Sequence, residues 1–410
     1  MWSPPPSWSG LRLALLAIVA GVWGTVAVLL WRSSVVPGGL HLSGVDPHRY
    51  FNDSRLAQTA SFERFERWDF VAAQLALVLV LVGYARWGGR FARESAAGRI
   101  GTGMLLGMLG LGFVWLAQVP FGLADLWWQR RHGASHVGYV EWIFGDWGQL
   151  GGSFAFICLA LLIVMALAGK LGERWWIPGA ATFVGLGLLF AFVQPYLLGK
   201  LHPLASRRPE LAQAAHRIAA REGVDSVPVR VEDVSGQTSA ANAMAMGIGP
   251  SRRIVLWDTL LDGRFGDRQV RFVIAHEYGH QARKHIPKFI VWYALFAFPG
   301  AYLIARLTRR RGGMADPAAV PFSLLVLVVL QLAALPLQNV ISRRIETEAD
   351  WMALRTTHDP VADRRLMQSF TRTSLVQPDP PSWSYLLLDN HPTIMQRIAL
   401  ANAWEARTGR

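Results

Sequence analysis

Long stretches without Asp, Glu, Lys or Arg constrain this chain more than any other feature of its sequence. A helix that crosses the hydrocarbon core of a bilayer needs about 20 mostly apolar residues. Seven stretches approach or exceed that length, and they predict seven transmembrane helices. The stretches are Leu13–Trp31, Phe70–Ala85, Ile100–Ala124, Trp147–Gly169, Trp175–Gly199, Phe289–Ala305 and Pro317–Ser342.

The composition favours the same class of protein. Charged residues are 17% and apolar residues 52% of the 410 residues, whereas an ordinary soluble domain is about 25% charged. This hydrophobicity excludes a disordered chain. The single cysteine, Cys158, excludes a disulfide scaffold. The chain therefore reads as a multi-pass membrane protein with a soluble part.

The net charge of +13 indicates which partners to expect. The basic residues are spread along the chain and do not alternate with aromatic residues in one patch. This distribution favours attraction to a lipid surface over binding of nucleic acid. Basic residues flank the predicted spans on both sides, so the positive-inside rule does not settle the orientation.

Two polar stretches, Lys200–Lys288 and Arg343–Arg410, separate the predicted spans. They divide the chain into residues 1–199 with five spans, 200–288 as a catalytic segment, 289–342 with two spans, and 343–410 as a second catalytic segment. Seven spans would place both polar stretches on the same face of the membrane. Prolines inside several spans predict bent helices, which either pack as a bundle or surround a polar chamber.

The first polar stretch contains His276-Glu277-Tyr278-Gly279-His280, an H-E-x-x-H motif. On a helix, side chains four residues apart lie on the same face, so both imidazoles can reach one metal ion. Glu277 lies about 100° around the helix from His276, where it can hold a metal-bound water without being a ligand. This pattern predicts a catalytic zinc site, because zinc suits imidazole and carboxylate ligands and makes hydroxide available at neutral pH. Two exposed histidines beside a glutamate are the other interpretation.

A catalytic zinc site needs a third protein ligand, and the end of the last predicted span offers candidates. Glu346 and Asp350 are four residues apart and share a helix face. The alternative is a solvated surface on which Arg343 and Arg344 pair with Glu346 and Glu348.

A short strand is predicted at Arg253–Trp257, after the turn residues Gly249-Pro250. Residues Ala243–Ile248 are its candidate hairpin partner. An edge strand beside the zinc helix could pair with an extended peptide. A small hairpin that only caps the core is the alternative.

Four motifs together resemble the Ste24/HtpX family of membrane zinc metalloproteases, peptidase family M48, and most closely its Ste24 branch, CAAX prenyl protease 1. The motifs are His276-Glu277-Tyr278-Gly279-His280 with His285, Ser342-Arg343 with Glu346 and Ala349-Asp350, Asn242-Ala243 with Gly247 and Arg253–Leu260, and His391-Pro392 with Arg397-Ile398.

This resemblance implies a mainly α-helical membrane protein in which seven helices surround a chamber beside a zincin-like α+β catalytic domain. It implies one zinc ion per chain on His276, His280 and Glu346, with Glu277 as the catalytic base. Asp350 would assist catalysis, and the residues that bind substrate would be Asn242, Ala243, His391 and Arg397.

The resemblance also implies the substrate and the location. The substrate would be a membrane-associated or prenylated (CAAX-type) polypeptide. The membrane would be the plasma membrane of a bacterium, with the catalytic part in the cytosol.

Other functions remain open at this point. They include a quality-control protease of broad specificity like HtpX, and a catalytically silent zinc-containing scaffold or chaperone. An intramembrane site-2-type protease is disfavoured because Arg283, Lys284 and Lys288 follow the motif before the next span. A transporter would leave the motif without a role.

Overall fold

The computed structural model describes residues 8–40, 42–93 and 97–409, and it is mainly helical. Its α-helices, numbered in chain order, are α1 Trp8–Arg32, α2 Asp53–Trp87, α3 Gly98–Arg131, α4 Tyr139–Leu171, α5 Trp176–Leu197, α6 Leu204–Arg207, α7 Pro209–Glu222, α8 Asp267–Ala282, α9 His285–Thr308, α10 Val320–Thr357, α11 Pro360–Thr373, α12 Ser382–Leu387 and α13 Ile394–Thr408.

Five helical segments of the described chain are long and apolar enough to cross a membrane. They are Asp53–Ala92, Gly98–Arg131, Tyr139–Leu197, His285–Arg311 and Pro317–Thr357. The third segment contains two helices, α4 and α5, which a short 3-10 turn separates. The five segments therefore correspond to six of the seven stretches that were predicted to span the membrane. The remaining stretch, Leu13–Trp31, lies within α1, where the described residues include the apolar helix Ala17–Arg32. Seven crossings therefore stay a prediction.

The helix α10 extends well past Ser342, where the apolar stretch ends. Its second half is buried against α8 and α13, which belong to the two polar stretches of the sequence, and Ala349, Ala353 and Leu354 are fully buried there. It ends at Thr357, because His358 adopts a left-handed conformation with φ of 52°. One continuous helix thus carries both apolar membrane residues and the carboxylates of the predicted site.

A four-stranded sheet lies in the region between α5 and α8. Its strands are β1 Leu201–Pro203, β2 Val229–Glu232, β3 Ala243–Met246 and β4 Arg253–Trp257. They follow the order β1-β2-β4-β3, with β2 and β4 parallel and the other two pairs antiparallel. The predicted hairpin is present, since Ala243 pairs with Leu256 and Met246 with Arg253. As a result, β3 lies at an edge of the sheet.

The main apolar core joins the two polar stretches of the sequence. Ile254 and Leu256 of β4, Phe272 and Ile274 of α8, and Ile398 of α13 are buried together in it. Long-range packing of these segments brings the end of α10 beside the middle of α8.

Candidate metal centre and active site

Helix α8 holds the H-E-x-x-H motif in a rigid, buried position. At its start, the backbone N–H of Gly266 donates to the side chain of Gln269, at 2.6 Å. Its residues from Phe272 to Gly279 are all buried. Because the helix is continuous, His276 and His280 lie one turn apart and point the same way.

Three side-chain donors converge beside α8. The Nε2 atoms of His276 and His280 are 3.0 Å apart. Glu346 on α10 places Oε2 at 3.2 Å from Nε2 of His276 and Oε1 at 3.7 Å from Nε2 of His280. One ligand atom from each residue lies within 4.8 Å of the others, so the group can hold a metal ion.

The chemistry of this donor set fits zinc. Tetrahedral zinc with ligands at about 2.0–2.2 Å requires donor atoms separated by about 3.3 Å. The three observed separations bracket that value, and two imidazoles with one carboxylate are a common set for catalytic zinc. The sequence alone allowed Glu346 to be either a metal ligand or a solvated surface residue. Glu346 is only 9% exposed, so it is not a solvated surface residue.

Asp350 contacts the ring of His276 at Nδ1, the nitrogen that does not face Glu346. Its Oδ1 lies 2.9 Å from Nδ1 of His276, and the side chain is completely buried. Arg397 on α13 donates to both carboxylate oxygens, at 2.9 and 2.6 Å. Burial opposes the charge on Arg397, but the nearby carboxylates, Asp350 first among them, together raise the pKa of the guanidinium.

A second buried carboxylate, Asp363 on α11, lies near this pair. Neither of its oxygens has a hydrogen-bond partner in the described part of the chain. Burial, followed by the charge of Asp350, raises the pKa of Asp363 well above its usual value. The carboxyl group of Asp363 therefore keeps its proton to a higher pH than the carboxyl group of an exposed aspartate does.

A cavity of about 350 Å³ opens onto the three converging side chains. Eight of the nine predicted site residues line it: Asn242, Ala243, His276, Glu277, His280, Glu346, His391 and Arg397. Asp350 is the exception, because His276 and Arg397 lie between it and the cavity. Phe272, Val273, Leu366 and Phe370 supply an apolar part of the wall.

The predicted substrate-binding residues lie at two sides of this cavity. Asn242 and Ala243 are at the start of the edge strand β3, where Asn242 Oδ1 accepts from the backbone N–H of Ala243 at 2.8 Å. His391 lies in the turn before α13, with Nε2 at 3.5 Å from Oε2 of Glu346. Glu277, which is 7% exposed, lines the cavity beside His276.

The structure also places residues at the centre whose role the sequence did not reveal. His285 is buried beside His280 at the wall of the cavity, with the two Nδ1 atoms 2.9 Å apart. Glu348 contacts the other ring nitrogen of His285. His280 and His285 are only five residues apart, which was the one sequence signal for a contact between them. Lys284, between them, adopts a left-handed conformation with φ of 54°. Helical periodicity therefore does not predict this contact.

The charged cluster on α10 is not a solvated face. Arg343 donates to the carbonyls of Tyr385 and Asp389, at 2.7 and 2.5 Å, and Arg344 donates to the carbonyl of Trp31 at 3.0 Å. Because these arginines bind backbone carbonyls, the carboxylates of Glu346, Glu348 and Asp350 contact histidines of α8 and α9 instead.

Comparison with known proteins identifies relatives for this arrangement. Residues 205–405 match the model of peptidase family M48. A Bacillus subtilis protein named uncharacterized metalloprotease YhfN is 32% identical over 267 residues, which are 62% of this chain and 62% of that protein. The CAAX prenyl protease 1 of Saccharomyces cerevisiae is 26% identical over 240 residues, 52% of each chain.

A solved structure extends the likeness beyond the catalytic segments. The crystal structure of S. mikatae Ste24p matches with a TM-score of 0.73 and 20% identity, and the match covers 98% of this chain and 100% of that one. At this identity the likeness shows the fold. Together with the apolar helices, it indicates a multi-pass membrane protein. Residues 205–405, which contain His276, His280 and Glu346, are thus similar to peptidase family M48.

Proposed function

We propose that this protein is a zinc-dependent endopeptidase of the membrane. The observation that carries the proposal is the convergence of His276, His280 and Glu346 at zinc-ligand spacing on the wall of a cavity. The names of its relatives support this function, since one is a metalloprotease and another a CAAX prenyl protease.

The three converging side chains would hold one zinc ion per chain. When bound, zinc lowers the pKa of a coordinated water to about 7 and polarises the scissile carbonyl. Glu277 takes the proton from the attacking water and passes it to the leaving amine. Asp350 accepts a hydrogen bond from Nδ1–H of His276, which keeps Nε2 of that ring free for the metal.

The substrate would lie extended along the edge strand β3. An edge strand offers unpaired backbone groups that bind a peptide with little demand on its sequence. Asn242 and Ala243 would contact the substrate backbone there, while His391 and Arg397 would stabilise the developing oxyanion or orient the substrate from the opposite side.

We assign membrane-associated polypeptides as the substrate class, including prenylated CAAX-type chains. Several helices of the chain are apolar enough to lie in a bilayer beside the catalytic segments, so substrates that share the membrane meet the site readily. Residues 1–199 and 289–342 would form the membrane part around a chamber, and 200–288 and 343–410 the catalytic part. We place the catalytic part in the cytosol at a bacterial plasma membrane.

The zinc content of detergent-purified protein tests the ligand set. We expect one zinc per wild-type chain and a clear loss in Glu346→Ala. His202→Leu is the matched control, because His202 pairs with Asp233 at the far edge of the sheet. Zinc retained in Glu346→Ala would mean that the third ligand lies elsewhere.

Cleavage of a membrane-anchored peptide tests the mechanism. In Glu277→Gln we expect activity to fall by about 10²–10⁴-fold while zinc stays bound. Full activity in this variant would reject Glu277 as the base. A folded wild type that binds zinc and cleaves neither prenylated nor unprenylated substrates would favour the scaffold interpretation.

A further inference from the structure

The second candidate histidine ligand is connected to a buried carboxylate through another histidine. Nδ1 of His280 lies 2.9 Å from Nδ1 of His285. On the far side of that ring, Nε2 of His285 lies 3.2 Å from Oε2 of Glu348. His285 and Glu348 are only 1% and 2% exposed. The three side chains form a continuous line from the metal centre to the junction of α8 and α9.

The protons on this line can be arranged in one consistent way if Nε2 of His280 binds a metal. Nδ1 of His280 then carries its proton and donates to Nδ1 of His285. The second ring must therefore be protonated at Nε2, where it donates to Glu348. The opposite tautomer of His285 would place two N–H groups against each other.

Glu348 is held by donors from separate parts of the chain. Arg283 donates to its Oε1 at 2.6 Å, and Lys288 lies at 3.5 Å from Oε2. The backbone N–H of Val35, in the loop after α1, donates to Oε1 at 3.2 Å. These contacts keep the carboxylate in place as an acceptor and orient it towards His285.

We propose that His285 and Glu348 are positioning residues that act as a relay to fix the tautomer and orientation of His280. The inference rests on the proposed role of His280 as a zinc ligand. It makes the two histidine ligands unequal, since His276 is supported by Asp350 directly and His280 through an intervening imidazole. Loss of such a supporting hydrogen bond weakens metal binding by about 10–100-fold.

The test is the zinc dissociation constant of detergent-purified protein, measured by competition with a chromophoric chelator. In His285→Leu we expect zinc to bind about 10–100-fold more weakly than in wild type. In His285→Gln we expect recovery of most of that loss, because the amide can accept from His280 and donate to Glu348. His202→Leu again controls for a histidine replaced away from the cavity.

Glu348→Gln provides an independent variant if His285→Leu does not fold. Its amide N–H can donate to Nε2 of His285, which would permit the unfavourable tautomer, so weaker zinc binding is again expected. Thermal unfolding of the metal-free proteins shows whether each variant is folded before zinc is added.

The outcomes separate this inference from the proposed function. If wild type itself binds no zinc, the proposed function fails. If wild type binds one zinc and both His285→Leu and Glu348→Gln bind it equally tightly, the relay is overturned. If His285→Gln binds as weakly as His285→Leu, His285 acts by its shape and not by its hydrogen bonds, which also overturns the relay.

Discussion

At the scale of single residues, three neighbouring carboxylates on α10 have different partners. Glu346 and Asp350, one turn apart, both face the histidines of α8. Glu348 is rotated by about 200° from Glu346 and reaches Arg283 and His285 instead. All three are buried. Burial of several carboxylates is tolerated here because each has cationic or N–H partners.

In the part of the chain that the structure describes, the carboxyl oxygens of Asp363 have no hydrogen-bond partner. Because its pKa is raised, Asp363 should make stability depend on pH. Its raised pKa means that the folded state keeps a proton that the unfolded state loses above about pH 4. Stability therefore falls as pH rises from that point, by up to about 1.4 kcal/mol per pH unit. The isosteric substitution Asp363→Asn should remove this fall in stability with rising pH.

Thermal unfolding of wild type and Asp363→Asn across the pH range measures the effect. We expect equal stability below about pH 4 and a more stable variant near neutrality. Asp233→Asn, at an exposed ion pair with Arg207, should show no comparable gain. Parallel stability curves for wild type and Asp363→Asn would contradict the protonated state of Asp363.

At the scale of elements, the candidate metal centre depends on the close approach of α8 and α10. Gly279, inside the H-E-x-x-H motif, is where the two helices meet. A Cβ added to it would lie 3.0 Å from Cβ of Met352 and 3.4 Å from the carbonyl oxygen of Ala349. The absence of a side chain at this position lets Glu346 of α10 come within reach of both histidines.

Gly279→Ala should therefore separate the two helices slightly. In an isolated helix this change would add about 1 kcal/mol of stability. Here we expect a net destabilisation of about 1–3 kcal/mol from overpacking, together with weaker zinc binding. Thermal unfolding and zinc competition measure the two effects.

Gly300→Ala is the matched control for this prediction. Gly300 also lies inside a helix, α9, but a Cβ there would meet no atom within 4 Å. We expect unchanged zinc binding in that variant. Equal behaviour of the two alanine variants would show that the α8–α10 spacing does not depend on Gly279.

Element boundaries were harder to predict than element positions. The stretch Phe70–Ala85 marks the apolar second half of α2, but the helix begins at Asp53, where the side chain of Asn52 accepts a 2.9 Å hydrogen bond from the N–H of Arg55. The first turns carry charges, so a search for apolar stretches does not detect them. The same holds for the charged end of α10.

At the scale of the whole molecule, loops between the apolar helices contact the two polar stretches of the sequence. The loop between α3 and α4 contacts the first polar stretch, since the N–H of His136 donates to the carbonyl of Gln237 at 2.8 Å. The loop after α1 contacts Glu348 through Val35. These contacts place several loops on the same side as the metal centre.

Cysteine labelling in sealed vesicles tests the seven predicted crossings. In a Cys158→Ala background, Lys170→Cys and Arg310→Cys should react with a membrane-impermeant maleimide from one side. Gly236→Cys and Ser382→Cys should react from the other side. All four positions are exposed. Labelling of Lys170→Cys from the same side as Gly236→Cys would contradict seven crossings.

The sequence by itself determined the features that arise from local spacing. Apolar length predicted the membrane helices, and the four-residue spacing of His276 and His280 predicted two side chains on one helix face. Glu346 was a candidate because it shares a helix with the last apolar stretch.

Only the tertiary structure decided which distant side chains meet. The contacts of Asp350 with Arg397 and of His285 with Glu348 join residues 47 and 63 positions apart. The orphaned carboxylate of Asp363 is likewise visible only in the folded chain. Such contacts depend on how helices pack around the common core, and local periodicity carries no information about that packing.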